Sequence, residues 1–189
     1  FAQNLPLKEV IVVDNNSVDK TARIASSFKS VTVVKEPKQG LISARNTGLD
    51  LATGDIIARI DADSRPAPDW SEQIIASFHN PDTQAVTGTG YFYDAPIKRS
   101  VRAFRNIVAV RLNGAILGHT MLWGSNMALR KTCWLSVRAQ TCNLPNIMED
   151  LDLAGHIFDE FGKHSIMYNP QMRADISARR AMVGLKSNY

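Results

Sequence analysis

Apolar and polar residues fall into alternating blocks along the first sixty positions, and the blocks differ in period. Residues 9–13 (EVIVV) form a β-branched run that stops at Asp14, Asn15, Asn16 and Ser17, a turn composition in which Ser17 or Asp19 can cap a following helix. From Thr21 to Phe28 the apolar residues recur at helical spacing, so the opening predicts strand, loop and helix. A second run, residues 31–34, is followed by Gly40 and a helical pattern over 41–52, and Gly54 punctuates before a third run, residues 55–60 (DIIARI). Three β/α alternations predict a mostly parallel sheet flanked by helices. Further on, the pattern predicts a helix over 68–78, a strand over 85–92, a longer helix over 99–117, a strand and loop over 121–130 and a short helix near 132–139. A helix over 149–161 and a strand near 165–168 complete the reading.

Composition narrows this to one ordinary globular unit. A chain of 189 residues fits a single domain, 1–189, with enough core to fold without staples. No run approaches the roughly 18 apolar residues of a membrane span, and the N-terminus lacks the basic start and apolar stretch of a signal peptide, which predicts a soluble chain unprocessed at that end. Eight residues separate Cys133 from Cys142, and neither cysteine has a companion histidine spacing, so reduced, partly buried thiols are expected rather than a zinc site or a disulfide. His79, His119, His156 and His164 likewise show no metal-ligand spacing. The net charge of +4 is spread along the chain, which suits an anionic small molecule or an acidic membrane face and argues against nucleic acid as partner. The 99–117 helix carries Arg99, Arg102, Arg105 and Arg111 beside an apolar side of Val101, Phe104, Val108 and Leu112, which suits a surface helix or a peripheral membrane contact.

The chemistry sits in the acidic residues at element ends. Asp61 and Asp63 follow the third apolar run one residue apart, and alternate residues of an extended chain point the same way, so both carboxylates can reach one hard divalent cation, Mg2+ or Mn2+. Ligands of open α/β sheets bind beyond the carboxyl ends of strands, which puts Asp14 on the same expected rim. Glu149 and Asp150 open the 149–161 helix, where the macrodipole favours carboxylates; the pair either compensates that dipole or supplies a general base, Asp150. Arg45, on the helix after Gly40, stands close enough to the rim to meet a phosphate. There is no Gly-x-Ser-x-Gly elbow, no Gly-x-Gly-x-x-Gly after the first strand and no P-loop, so nucleotide binding would run through carboxylates and metal.

Taken in order, Val10 to Asp19 with Thr21, Gly40 through Asn46 with Gly48, Gly54-Asp55, Asp61-Ala62-Asp63, Gly124 through Ala128, and Glu149-Asp150 with Asp152 resemble the family 2 glycosyltransferases of the GT-A fold. The likeness covers residues 9–180. It implies a GT-A-like, Rossmann-like α/β domain and a metal-dependent, inverting transfer of a sugar from a nucleotide-diphosphate sugar donor to an acceptor hydroxyl on a glycan, lipid or polyprenyl phosphate. Carried over by motif, Asp14 would bind the base or ribose, Arg45 would hold the nucleotide, Asp61 and Asp63 would face the ribose and the cation, and Asp150 would be the base. Asn16, Asp19, Gly124 and Glu149 would shape the pocket, and Arg179 and Arg180 would form the basic segment that meets the diphosphate or is solvated. The resemblance also implies a cytoplasmic protein working at or near the inner membrane face, in envelope or polysaccharide assembly. One departure is expected: the family's first strand precedes the earliest matched motif, so the chain reads as N-terminally incomplete.

Two other readings compete. An Asp-x-Asp after an apolar strand also opens haloacid dehalogenase-like phosphohydrolases, with Asp61 as nucleophile and Asp63 as acid, but these want an acidic pair on later strands and leave Asp14 unexplained. The other is a nucleotide-sugar-binding module or inactive fragment.

Overall fold

The computed structural model describes residues 3–94, 114, 118–142 and 147–179. The opening repeat folds as its spacing predicts. Strand β1 (Val10–Asp14) and strand β2 (Val31–Lys35) pair in parallel, Val10 opposite Val31 and Asp14 opposite Lys35, with helix α1 (Thr21–Ser26) as the crossover that parallel neighbours require. Helix α2 (Leu41–Leu51) then leads to β3 (Ile56–Ile60), which starts a second sheet instead of extending the first.

That second sheet has five strands in the order β3, β6 (Asn126–Arg130), β5 (Ala85–Thr89), β7 (Ile166–Asp175) and β4 (Arg65–Pro66). β6 runs antiparallel to both β3 and β5, β7 is parallel to β5, and β4 is antiparallel to β7. The expected mostly parallel sheet is therefore corrected to a mixed one. Hydrophobic period identifies strands and helices but not their partners, and the stretch between β5 and β6 is long enough to return the chain in either direction.

Both faces of this sheet are covered, and the central strand β5 is buried along its whole length. On β6, Met127 and Leu129 enter one core cluster while Ala128 enters the other; on β5, Ala85 and Val86 divide the same way. The first cluster gathers Leu49 of α2, Cys133, Trp134 and Val137 of helix α4 (Lys131–Val137), and Leu153, Ala154 and Ile157 of helix α5 (Glu149–Phe161). The second gathers Trp70 and Ile74 of helix α3 (Trp70–Ser77) with Met172 and Ala174 of β7. Burial pushes the Cys133 thiol up to about 12, so it acts as a small apolar group; both cysteines are free thiols.

One polar residue joins the two clusters. Asn126 is almost fully buried, donates from Nδ2 to the carbonyls of Thr89 and Met172 at 2.8 Å each, and accepts from the Trp70 indole N–H at 2.8 Å. Three strands and α3 thus converge on one amide. Gly88 of β5 makes room for it, since a Cβ there would stand 2.0 Å from the Met172 carbonyl oxygen and 2.4 Å from Asn126 Nδ2; one on Gly90, just past β5, would stand 2.1 Å from the Ala174 carbonyl oxygen. Here the β5–β7 register shifts, Thr87 facing Tyr168 but Thr89 facing Arg173.

β7 is longer than the strand expected near 165–168: it continues through Asn169 and Pro170 to Asp175, with an irregularity in its pairing to β5. The two-residue β4 was not anticipated. Apart from Gly114, the helix expected over 99–117 lies outside the described residues. Among the described residues no helix is long and apolar enough to cross a membrane.

Two outcomes follow. Asn126→Leu keeps the volume but strands an indole N–H and two carbonyls, each costing about 1–3 kcal/mol when buried without a partner; the urea midpoint should fall by an equivalent of about 3 kcal/mol or more. Glu36 is held below the usual carboxylate range by the Thr47 hydroxyl and then by the Lys38 amide. A carboxylate depressed by folding adds stability that is complete above its unfolded value, near 4.3, and is lost as pH falls through the folded one. Glu36→Gln should therefore melt lower than wild type at pH 7, with the gap in Tm closing as the pH is lowered below about 4.

Candidate active site

The antiparallel pairing of β3 with β6 sets the site. Ile60, the last residue of β3, faces Asn126, the first of β6, so the loop carrying Asp61 and Asp63 leaves the sheet where Trp123, Gly124 and Ser125 enter it. Ser64 Oγ donates to the Ser125 carbonyl at 3.4 Å, and the Ser64 amide donates to the Asp61 carbonyl at 2.9 Å, closing the loop into a turn.

From the other side comes the N-terminal turn of α5. The Gly124 amide donates to Asp150 Oδ2 at 3.2 Å, and the Leu151 amide donates to Oδ1 at 3.0 Å, so each carboxylate oxygen is oriented by a backbone N–H. Asp150 is thereby joined through Gly124 and Ser125 to the Asp61–Asp63 turn. A Cβ at 124 would stand 2.8 Å from Arg59 Nη1, so a side chain there would displace the guanidinium that Glu149 holds.

Beneath Asp150, Glu149 is buried and its two oxygens are fully engaged. Oε2 accepts from Arg45 Nη1 at 2.8 Å and Oε1 from Arg59 Nη1 at 2.7 Å, while the Glu149 carbonyl takes a second bond from Arg45 Nη1 at 2.8 Å. The Arg45 side chain is wholly enclosed, lies 5.8 Å from the Trp134 ring centroid and has no partner for its buried Nη2 among the described residues. The phosphate contact expected of Arg45 is thus replaced by an inward ion pair: its helix turns it to the core, and Glu149 compensates it. Glu149 is likewise an anchor under the site rather than part of an open pocket wall. Arg59 was not singled out from sequence, yet a cation inside the apolar run of β3 was a signal that a buried anion would be found for it.

Asp14 ends β1, on the other sheet. It is buried, and its Oδ1 accepts the Ser17 amide at 3.1 Å, the turn role its neighbours suggested. Asn16 takes the left-handed conformation (φ 62°) and donates to the Pro37 carbonyl at 2.8 Å. Asn15, overlooked in the sequence, does more: Nδ2 donates to the carbonyls of Glu36 and Lys38, and Oδ1 accepts the Gly40 amide at 2.7 Å, binding the loop after β1 to the loop before α2. Asp19 is exposed and caps the start of α1 through the Thr21 amide at 2.9 Å; the Thr21 hydroxyl and amide hold its carboxyl below the usual range. Helix α2 links the two halves, packing Gly48 against Val13 while Arg45 reaches Glu149.

A third strand end closes the rim. Asp94 accepts the Ser177 hydroxyl and the Ala178 amide at 2.6 Å each, contacts that hold its carboxyl below the usual range and fix the chain beyond β7. That chain carries Arg179, whose Nη2 donates to Asp63 Oδ2 at 2.9 Å, while Tyr93 Oη donates to the Asp63 carbonyl at 3.2 Å. Asp63 therefore faces a position that already holds a positive group, and Asp61 has no side-chain partner among the described residues. Two partly exposed carboxylates on one turn are a donor set suited to a hard cation shared with phosphate oxygens. Arg180 lies outside the described residues. The acidic residues at 149, 150 and 152 stand on a helix, not on the later strands a phosphohydrolase would need. A separate cleft of about 700 Å³, lined by Ser77, Asn80, His119, His164, Ile166 and Tyr168 among others, shares none of these groups.

Residues 1–144 match the sequence profile of a family described as Glycosyl transferase family 2, a stretch that includes Asp14, Asp61, Asp63 and Gly124 and stops short of Asp150. Among curated proteins the chain is similar to the glucosyl-dolichyl phosphate glucuronosyltransferase of Haloferax volcanii, 37% identical over 89 residues, which is 44% of this chain and 28% of that protein. Among solved structures it is similar to glucosyl-3-phosphoglycerate synthase from Mycobacterium tuberculosis in complex with Mn2+, UDP-glucose and phosphoglyceric acid (TM-score 0.61, 20% identity, 86% of this chain and 58% of that one). It is also similar to S. aureus TarS in complex with UDP (TM-score 0.63, 16% identity, 94% of this chain and 54% of that one). The overlay establishes the GT-A fold expected from the motifs, and the chain spans under a third of the curated relative and somewhat over half of the two solved ones.

Replacing Glu149 by Gln should leave two guanidinium groups without their counter-charge. Breaking a buried ion pair from one side costs about 3–5 kcal/mol, so Glu149→Gln is expected to lose about 3 kcal/mol in urea unfolding. An exposed pair such as Arg138 with Asp50 should cost under about 1 kcal/mol in the same assay.

Proposed function

The chain belongs to glycosyl transferase family 2, and from that premise we propose that it moves a sugar from a nucleotide-diphosphate sugar to an acceptor hydroxyl with inversion at the anomeric carbon, Asp150 acting as general base. The observation that carries the reading is the meeting of the Asp61–Asp63 turn and Asp150 across Gly124 and Ser125, residues far apart in the chain joined by two hydrogen bonds between side chain and backbone. A donor diphosphate over the turn and an acceptor over α5 would then share one cleft.

The reaction is a single displacement. The acceptor oxygen attacks the anomeric carbon from the face opposite the diphosphate, the bond from that carbon to the phosphate oxygen breaks, and the hydroxyl proton passes to Asp150. Because both Asp150 oxygens are oriented by amides of Gly124 and Leu151 before substrate arrives, the base needs no reorganisation. Asp61 and Asp63 would hold Mg2+ or Mn2+, which supplies positive charge beside the departing diphosphate. Arg179, already on Asp63, adds a second positive group on the same side. Asp14, Asn16 and Asp19 form the loop after β1 and would meet the nucleoside. The Mn2+ and UDP-glucose bound in the mycobacterial structure support a nucleotide-sugar donor and a divalent metal.

The test uses a panel of nucleotide sugars with Mn2+ and follows release of nucleoside diphosphate. Asp150→Asn should lower turnover roughly 100- to 10,000-fold, the usual worth of a general base, while leaving nucleotide affinity in place. Asp63→Asn should weaken nucleotide binding and remove its dependence on added Mn2+. Activity that survives Asp150→Asn would overturn the base assignment, and release of phosphate without sugar transfer would overturn the reaction.

A further inference from the structure

On the far side of the first turns of α5 stands a cluster that the transfer reaction does not use. Asp152 and His156 are four residues apart and so share a helix face, with His156 Nε2 3.5 Å from Asp152 Oδ1. Cys142 reaches them from the chain after α4: its amide donates to Asp152 Oδ2 at 2.9 Å, and the carboxylate beside it pushes the thiol pKa up. The sulfur, the ring nitrogen and a carboxylate oxygen all lie within 4.8 Å of one another, and all three residues are partly exposed, so an ion could enter without unfolding. Neither cysteine nor histidine showed a ligand spacing in the sequence, because the chain returns to the helix only through the fold.

We propose that Cys142, Asp152 and His156 form a second cation site, separate from the Asp61–Asp63 turn, that takes one Zn2+-class ion. The donor chemistry separates the two. Thiolate and imidazole select zinc over magnesium or manganese, whereas paired carboxylates suit the harder ions. Zinc bonds of about 2.3 Å to sulfur and 2.0–2.2 Å to nitrogen and oxygen place tetrahedral ligand atoms about 3.4–3.6 Å apart. The cluster would contract by about 1 Å at its widest, within the reach of side-chain rotation. Asp152 is prepared for this: Oδ2 is held by the Cys142 amide, which orients Oδ1 toward His156 in the manner of an outer-shell contact. Binding would release the thiol proton, place sulfur, nitrogen and oxygen on the ion and leave the fourth position to water. It would tie residue 142 to α5 two residues from Asp150.

The experiment uses the full chain stripped with a chelator and titrated with Co2+, whose bond to a thiolate gives a near-ultraviolet charge-transfer band. One equivalent should produce the band, and Zn2+ should displace it while Mg2+ and Mn2+ do not. One equivalent of Zn2+ should also protect Cys142 from iodoacetamide, with buried Cys133 unlabelled throughout as internal control. Cys142→Ser should abolish the band. His156→Gln should weaken Co2+ binding at least as much as the roughly 10–100-fold that outer-shell changes cost, and this variant carries the test if the serine one does not fold. Asp63→Asn should leave band and affinity unchanged, which separates this site from the transfer reaction. No band in the folded wild type, a band that survives Cys142→Ser, or unaltered affinity in His156→Gln would overturn the site.

Discussion

Glu149, clamped between Arg45 and Arg59, is the contact on which the arrangement of the site depends. It joins three elements that pack against one another mainly through apolar surface: α2, β3 and the first turn of α5. Apolar packing tolerates small slides and rotations, whereas two charge-assisted bonds to one carboxylate do not. Desolvating three charges contributes little net stability, and an apolar substitute of the same volume could match it. What the charges supply is register: they hold the turn of α5 so that Asp150 stands over the Gly124 amide, and they offset the crowding of Glu149, Asp150 and Asp152 within one helical turn.

The direction of β6 matters equally. Had it run parallel to β3, its carboxyl end would have lain beside Asp61, and Gly124 and Ser125 would have been at the opposite edge of the sheet. Antiparallel pairing makes the exit of one strand the neighbour of the entry of the other, and so brings the turn of Asp61 and Asp63 next to the residues that touch Asp150. Asn126, immediately after that entry, secures the direction with three buried hydrogen bonds to β5, β7 and α3. Gly88 and Gly90 are part of the same constraint, since any side chain there would meet backbone oxygens of β7 at about 2 Å.

Under the two proposals, helix α5 would serve two chemistries from its first two turns. Its first turn presents a carboxylate oriented by amides, suited to taking a proton. Its far side presents oxygen and nitrogen donors that the Cys142 sulfur approaches, a set suited to a borderline-soft ion. Asp150 and Asp152 are the same residue type, and only their surroundings distinguish them: a glycine amide and an open rim for one, a thiol and an imidazole for the other.

Element identity was legible in the sequence because it rests on local period and punctuation: α5 begins at Glu149 and ends at Phe161 as its apolar spacing requires, and the β1–α1–β2 unit follows from two β-branched runs about a turn. The acidic residues at element ends were legible for the same reason, and with them the family. Which strands pair was not, because the separation between β5 and β6 leaves their relative direction to long-range packing. Nor could the sequence distinguish Arg45 as a ligand from Arg45 as an anchor, since an arginine on a helix reads alike whether it faces solvent or a buried carboxylate 104 positions away. Side-chain partnership across the fold, as between Glu149 and its two arginines or between Cys142 and His156, depends on where distant backbones come to rest, and only the tertiary structure decided that.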